Sequence, residues 1–236
     1  MALNIMWLGQ AGYLLDDGET QIVIDPFCGE AKDGTTRNYP PTVEKGSYHV
    51  DLALVSHAHW DHLDPLSICE YFCAKELIGP FSVIQSMNKS EYAGQVETTV
   101  ICRNETVTRG KFTITSVYAD HDGDSCGYVI EHEGKKLFHT GDTIMTSRVL
   151  LTFLDLKPDV LFTAINGRGG CLNMMESALL SRTSGAKVAI PMHYDMISNN
   201  TEDPELFKSP MSRIAPDTKC MIIERAKVYS LEEIMA

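Results

Sequence analysis

Five short apolar runs in this 236-residue chain stop on a histidine or an aspartate, and that pattern limits what the chain can fold into. Ile22-Val-Ile24 stops on Asp25-Pro26, and Asp51-Leu-Ala-Leu-Val-Ser56 runs into His57-Ala-His59-Trp-Asp61-His62. The run 112–118 is followed by His121, the run 135–139 by Thr140-Gly141-Asp142-Thr143, and Val188-Ala-Ile-Pro-Met192 by His193. Runs of this length and β-branched content read as buried strands. Open α/β sheets gather their chemistry at the carboxyl ends of strands. A single histidine or aspartate at a strand end is commonly a cap or a solvated group. Five in one chain point instead to a sheet, or a pair of sheets, collecting metal ligands along one edge. The 57–62 stretch is the nucleus, with Asp64-Pro65 after it reading as a helix start. It therefore occupies a strand-to-helix turn.

The remaining elements follow the same logic. Short strands are expected at 3–8, 13–16 and 21–24, with Asp17-Gly18 as a hairpin turn. Residues 28–49 lose periodicity and contain Pro40-Pro41. They read as a long connection, either an active-site flap or a surface excursion. A helix is expected over 65–75, then a short strand and a helix ending at Gly94. The stretch 98–138 is rich in strand patterns. Helices at 144–154, 174–183 and 204–214 alternate with strands at 159–164, 187–190 and 218–223, the last of which closes the fold. This is one mixed α/β domain over residues 1–236.

Composition excludes several classes of function. The hydrophobic fraction of 44% suits an ordinary globular core. The formal net charge of -12 repels phosphate backbones, so nucleic acid is a poor partner. No stretch approaches the ~18 apolar residues of a membrane span. The amino-terminal Met1-Ala-Leu-Asn-Ile-Met-Trp-Leu8 lacks the basic leader of a signal peptide. Seven cysteines, at 28, 69, 73, 102, 126, 171 and 220, show no framework spacing. A reducing cytoplasm and cysteines buried as small apolar residues are the expectation.

The order His-x-His-x-Asp-His, a later His, Gly-Asp-Thr and a final His resembles the metallo-β-lactamase superfamily. The resemblance runs from Trp7-Leu-Gly-Gln-Ala-Gly12 to Pro191-Met-His-Tyr194. It implies a four-layer αβ/βα sandwich, in which His57, His59 and His121 hold one metal and Asp61, His62 and His193 a second. Asp142 would bridge the two. The superfamily's oxygen-reducing diiron branch usually carries a glutamate where this chain has His59, so the motif implies a hydrolase. The opening motif, Ile24-Asp-Pro26, Ile165-Asn-Gly-Arg168 and Pro191-Met-His-Tyr-Asp-Met196 resemble the branch that includes L-ascorbate 6-phosphate lactonase and other metal-dependent hydrolases.

Imidazoles with carboxylates suit zinc, manganese or iron. Two such ions can share a hydroxide that attacks an ester, lactone or phosphoester of a small anionic substrate. Asp61 and Asp142 are the expected catalytic carboxylates, with Asp61 or a metal-bound water helping to return a proton to the leaving group. Arg168, in Asn166-Gly-Arg-Gly-Gly170, is a candidate clamp for a phosphate or carboxylate, and Tyr194 a candidate phenol near the leaving group. Asp25 is expected to support a ligand imidazole from behind. Trp60 reads as packing, and His49, His132 and His139 as non-ligands. A phosphodiesterase or nuclease on the same site, or a non-catalytic metal-binding protein, are the competing readings. A homo-oligomer is one possible assembly, in which 28–49 either closes over the cavity or belongs to a neighbouring subunit.

Overall fold

The computed structural model describes residues 2–236. Among them, fourteen strands form two seven-stranded sheets. The first has the order β14 (Val228–Ser230), β1 (Asn4–Gly9), β2 (Gly12–Asp16), β3 (Gln21–Ile24), β4 (Leu52–Leu54), β5 (Glu76–Gly79), β6 (Glu97–Val100). The second runs β13 (Lys219–Cys220), β12 (Val188–Met192), β11 (Val160–Ala164), β10 (Lys135–His139), β9 (Cys126–His132), β8 (Phe112–Tyr118), β7 (Thr106–Arg109). The wiring is alike in both. β14-β1-β2-β3 are antiparallel and β3-β4-β5-β6 parallel, just as β7-β8-β9-β10 are antiparallel and β10-β11-β12-β13 parallel.

Strand direction then decides where the polar residues go. β1 runs with β3, because two antiparallel pairings separate them; β8 runs with β10 for the same reason. The carboxyl ends of β1, β3 and β4 therefore share one edge of the first sheet, and those of β8, β10, β11 and β12 one edge of the second.

Alternation along the strands accounts for the layers. Ile5, Trp7, Ile22, Ile24, Leu52 and Leu54 face a shared interior with Phe112, Ile114, Tyr128, Ile130, Phe162 and Ile190 of the other sheet. Their neighbours Met6, Val23, Ala53 and Val55 point outward onto Ile68, Phe72 and, from α1 (Phe81–Met87), Val83 and Met87. Val129, Phe138 and Leu161 likewise meet Val149 and Phe153 of α2 (Ser147–Phe153) and Leu180 of α3 (Met174–Ser184). Helix, sheet, sheet and helix make the four-layer sandwich that the sequence resemblance implies.

Several expected boundaries move, for local reasons. The helix expected over 65–75 starts at 65 but ends early in a π-helical turn, Ser67–Tyr71, because the chain turns back at Cys73 (φ 41°) to enter β5. The helix expected to end at Gly94 stops at Met87, where the Ser90 hydroxyl donates to the Met87 carbonyl (2.8 Å). The 204–214 helix begins as a 3-10 turn, Pro204–Phe207, before α4 (Lys208–Ile214). The 218–223 strand shrinks to β13 and does not finish the fold. β14 and α5 (Leu231–Met235) follow, and α5 inserts Leu231 and Ile234 between the sheets.

Candidate metal centre

The shared edge collects the sequence-derived ligands from both sheets. His57, His59, Asp61 and His62 leave β4; His121 follows β8, Asp142 follows β10 and His193 follows β12. Gln10, Asp25 and His193 hold left-handed backbone at φ 50°, 42° and 62°, a costly conformation for side-chain-bearing residues. The His193 amide donates to the Gln10 carbonyl (2.9 Å), so the end of β12 is tied to the end of β1. His139 is no ligand. It is buried in the sheet, with Nε2 donating to the Ala11 carbonyl (2.8 Å) and Nδ1 accepting the Gly141 amide (3.2 Å). That pair of bonds sets the turn presenting Asp142.

Imidazole nitrogens face one another across short gaps. His59 Nδ1 lies 3.1 Å from both His57 Nε2 and His121 Nε2, and His62 Nε2 lies 3.2 Å from His193 Nε2. Asp142 Oδ2 is 3.4 Å from His62 Nε2 and His193 Nε2, and 3.9 Å from His57 Nε2 and His121 Nε2. Ligand-capable atoms gather into the sets His57-His59-His121, His57-His62-Asp142 and Asp61-His62-His193. Asp142 thus stands between the two triads.

The outward nitrogens explain why the inward ones are bare. His62 Nδ1 donates to Asp25 Oδ2 (2.8 Å), His59 Nε2 to Asp122 Oδ2 (2.7 Å), and His121 Nδ1 to the Gly170 carbonyl (3.2 Å). The Ser56 hydroxyl spends its proton on Asp25 Oδ2 (2.7 Å), so it accepts from His57 Nδ1 (3.0 Å). With one nitrogen of each of these four rings held as N–H, the other offers a lone pair inward. Asp142 Oδ1 is buried and has no hydrogen-bond partner. Packed lone pairs and an orphaned buried carboxylate oxygen are costly unless a cation lies among them, so the donor set fits metal.

A family described as beta-lactamase superfamily domain matches residues 4–193. The chain belongs to that superfamily. It is similar to a UPF0173 metal-dependent hydrolase of Archaeoglobus fulgidus, 28% identical over 250 residues, covering 98% of this chain and 100% of the relative. Among solved structures, it shares its fold with the metallo hydrolase Igni18 of Ignicoccus hospitalis (21% identity, TM-score 0.77, covering 97% and 98%). It also shares the fold of an isothiocyanate hydrolase from Delia radicum gut bacteria (15% identity, TM-score 0.74, covering 96% and 98%).

In this superfamily member, burial and charge divide the cluster. Burial works to raise the Asp142 carboxyl, but His193 and His62 beside it hold it well below the usual range. Asp61 is held low in the same way, by His62 and His193 against burial. Burial works to lower His193, yet Asp142 and Asp61 push it up to about 9. His57 and His121 go down, chiefly through burial. The carboxylates are thus held ionised and His57 and His121 neutral, the forms that bind cations, while His62, like His193, is pushed up against burial by Asp142 and Asp61.

The cluster opens into a cavity of about 240 Å³ lined by Asp33, Trp60, Arg168, Cys171 and Asn200 beside the ligands. The 28–49 loop contributes Asp33 to the lining. Asp33 accepts from Trp60 Nε1 (3.0 Å), the Asn38 amide donates to the Met196 carbonyl (2.8 Å), and Asp64 anchors the Gly29 amide (2.8 Å). Arg168 stands at the mouth, exposed, with Nη1 donating to the Asn199 carbonyl (2.8 Å) and Nη2 3.5 Å from Glu202. Tyr194 stands apart from the cavity, contrary to the sequence expectation. Its ring is buried against Trp7, centroids 4.9 Å apart, so it packs the core. Trp60 packs against Phe27 and also lines the cavity.

Sequence reasoning missed Gln10, Asp122 and Cys171. Gln10 Nε2 donates to Asp61 Oδ2 (2.8 Å) and lies 3.1 Å from His193 Nε2. Its place at the end of β1, on the shared edge, is the signal that would have found it. Cys171 follows β11 on that edge within the glycine-rich loop already marked for Arg168. Among the described residues, no helix is long and apolar enough to cross a membrane.

Proposed function

We propose that this chain is a binuclear metal-dependent hydrolase that cleaves an ester, lactone or phosphoester of a small anionic substrate. The observation that carries the reading is the cluster of inward-facing imidazole nitrogens around Asp142, whose Oδ2 lies 3.4–3.9 Å from four of them and whose buried Oδ1 has no partner. His57, His59 and His121 would hold one divalent ion, Asp61, His62 and His193 the other, with Asp142 shared. The pair would supply Lewis acidity and water ionisable near neutral pH. The name borne by the Archaeoglobus fulgidus relative supports the hydrolase class.

The chain's own side chains account for the rest. Gln10 fixes the Asp61 carboxylate at the cavity wall, where it can pass a proton to the leaving group. Arg168 and Asn200 give the mouth a cationic and an amide contact for an anionic substituent. The cavity volume of about 240 Å³ lies below the usual ligand-pocket range of ~300–1,000 Å³, which favours a small substrate over a duplex or a lipid.

The test strips metal from the chain, restores zinc, manganese or ferrous iron in turn, and assays p-nitrophenyl esters, sugar lactones and bis-p-nitrophenyl phosphate. Turnover should return with metal on an ester or lactone and should vanish, with metal content, in His59→Ala and Asp142→Ala. Turnover only on the phosphodiester would reassign the site to a phosphodiesterase. Full metal and turnover in either variant would sink the reading.

A further inference from the structure

One donor stands at this centre outside the ligand set that the superfamily resemblance implies. Cys171 Sγ, Asp142 and His193 offer ligand-capable atoms that all lie within 4.8 Å of one another. Cys171 is 5% exposed, yet it joins none of the apolar clusters that take up Cys28, Cys69, Cys126 and Cys220. Its buried neighbour is a carboxylate, and one oxygen of that carboxylate has no partner. The loop that delivers it is built rather than loose. The Gly167 amide donates to the Leu172 carbonyl (3.0 Å), the Cys171 amide to the Arg168 carbonyl (3.1 Å), and Asn166 bridges Asn173. Gly170 permits the approach at φ 83°, with an added Cβ falling 2.7 Å from His121 Nδ1. A cysteine packed merely as a small apolar residue needs none of this.

We propose that Cys171 Sγ is a ligand of the second ion, beside His193 and Asp142. The proposal rests on the metal reading above and goes beyond it by adding a thiolate to an otherwise imidazole and carboxylate site. On binding, the S–H bond breaks, its proton leaves to solvent and the sulfur lone pair forms the bond to the ion, with no change in oxidation state. A soft donor at this position selects zinc over manganese or magnesium, which oxygen-rich sites favour.

Cobalt(II) alone is the probe, titrated into the metal-free full chain. The expected result is two bound equivalents, one of which brings a sulfur-to-cobalt charge-transfer band in the near ultraviolet. Cys171→Ser should abolish that band, keep one equivalent at wild-type affinity and weaken the other by about tenfold or more. The zinc-loaded wild type should show a zinc–sulfur distance of about 2.3 Å by X-ray absorption. Two equivalents bound without the band, or a band that survives Cys171→Ser, overturns the thiolate and leaves the hydrolase reading standing. No cobalt bound at all overturns both. The wild-type spectrum decides even if the variant fails to fold.

Discussion

Replacing Asp25 by asparagine changes one atom and should cost the second of the two proposed metal ions. Asp25 is fully buried, with Oδ1 accepting the Ser56 amide (2.7 Å) and Oδ2 accepting both the Ser56 hydroxyl (2.7 Å) and His62 Nδ1 (2.8 Å). An asparagine has to keep its oxygen on the Ser56 amide, since the flipped form would set NH₂ against N–H. Its NH₂ group then faces His62 Nδ1 and forces that nitrogen to accept. The ring proton moves to Nε2, the atom offered to the ion, so the lone pair points the wrong way. Removal of partners that fix a ligand's tautomer weakens metal by roughly 10–100-fold, or about 1.4–2.8 kcal/mol. Zinc titration of the metal-free chain against a chromophoric chelator resolves the two sites, and ¹⁵N NMR of the histidines reports the tautomer. Wild-type affinity at both sites in Asp25→Asn would refute the argument.

Three further perturbations reach other parts of the molecule. Gly170→Ala places a methyl 2.7 Å from His121 Nδ1 at a φ of 83°, so the first-triad ion should weaken by about tenfold or more, measured by the same chelator competition. Asp64→Ala leaves the Gly29 amide without its acceptor, the Cys28 amide keeping the Ser67 hydroxyl (2.6 Å); urea unfolding should show a loss of about 1–3 kcal/mol, and the loosened loop should raise KM. Glu76, on β5, takes Arg109, on β7, through two 2.6 Å bonds that clamp the sheets together. Those bonds hold its carboxyl below the ordinary value despite partial burial. Its contribution is therefore present above the unfolded pKa of about 4.3 and lost as pH falls through the lower folded value. Glu76→Gln should cost about 1 kcal/mol at pH 7, and the difference from wild type should shrink below pH 4.

The ligands could be read from the sequence because each lies within a few residues of an apolar strand, and strand patterning is local. The sheets then do the collecting, since strand direction sends His57, His121, Asp142 and His193 to one edge. Contacts made by long-range closure were not legible in this way. Gln10 meets Asp61 only because β1 and β4 flank the same edge, and Cys171 reaches Asp142 only because its loop closes on itself beside His193. Tyr194 adjoins a ligand in sequence, but alternation along the chain turns it inward to Trp7. The partners of the 28–49 loop, such as Asp64 and the 195–198 segment, leave no periodic signal, and neither does β14, whose Val228 is 57% exposed.

That last strand has a consequence for how the molecule is made. β14 lies against β1, with Ser230 opposite Asn4 and Val228 opposite Met6. The outer edge of β1 is covered by residues made more than two hundred positions later, and at ~5–20 residues per second this means a wait of ten seconds or more. During that interval β1 presents open backbone to any passing strand, the situation that invites pairing with another nascent chain. The first sheet is therefore the half of the protein most in need of a chaperone while translation is under way.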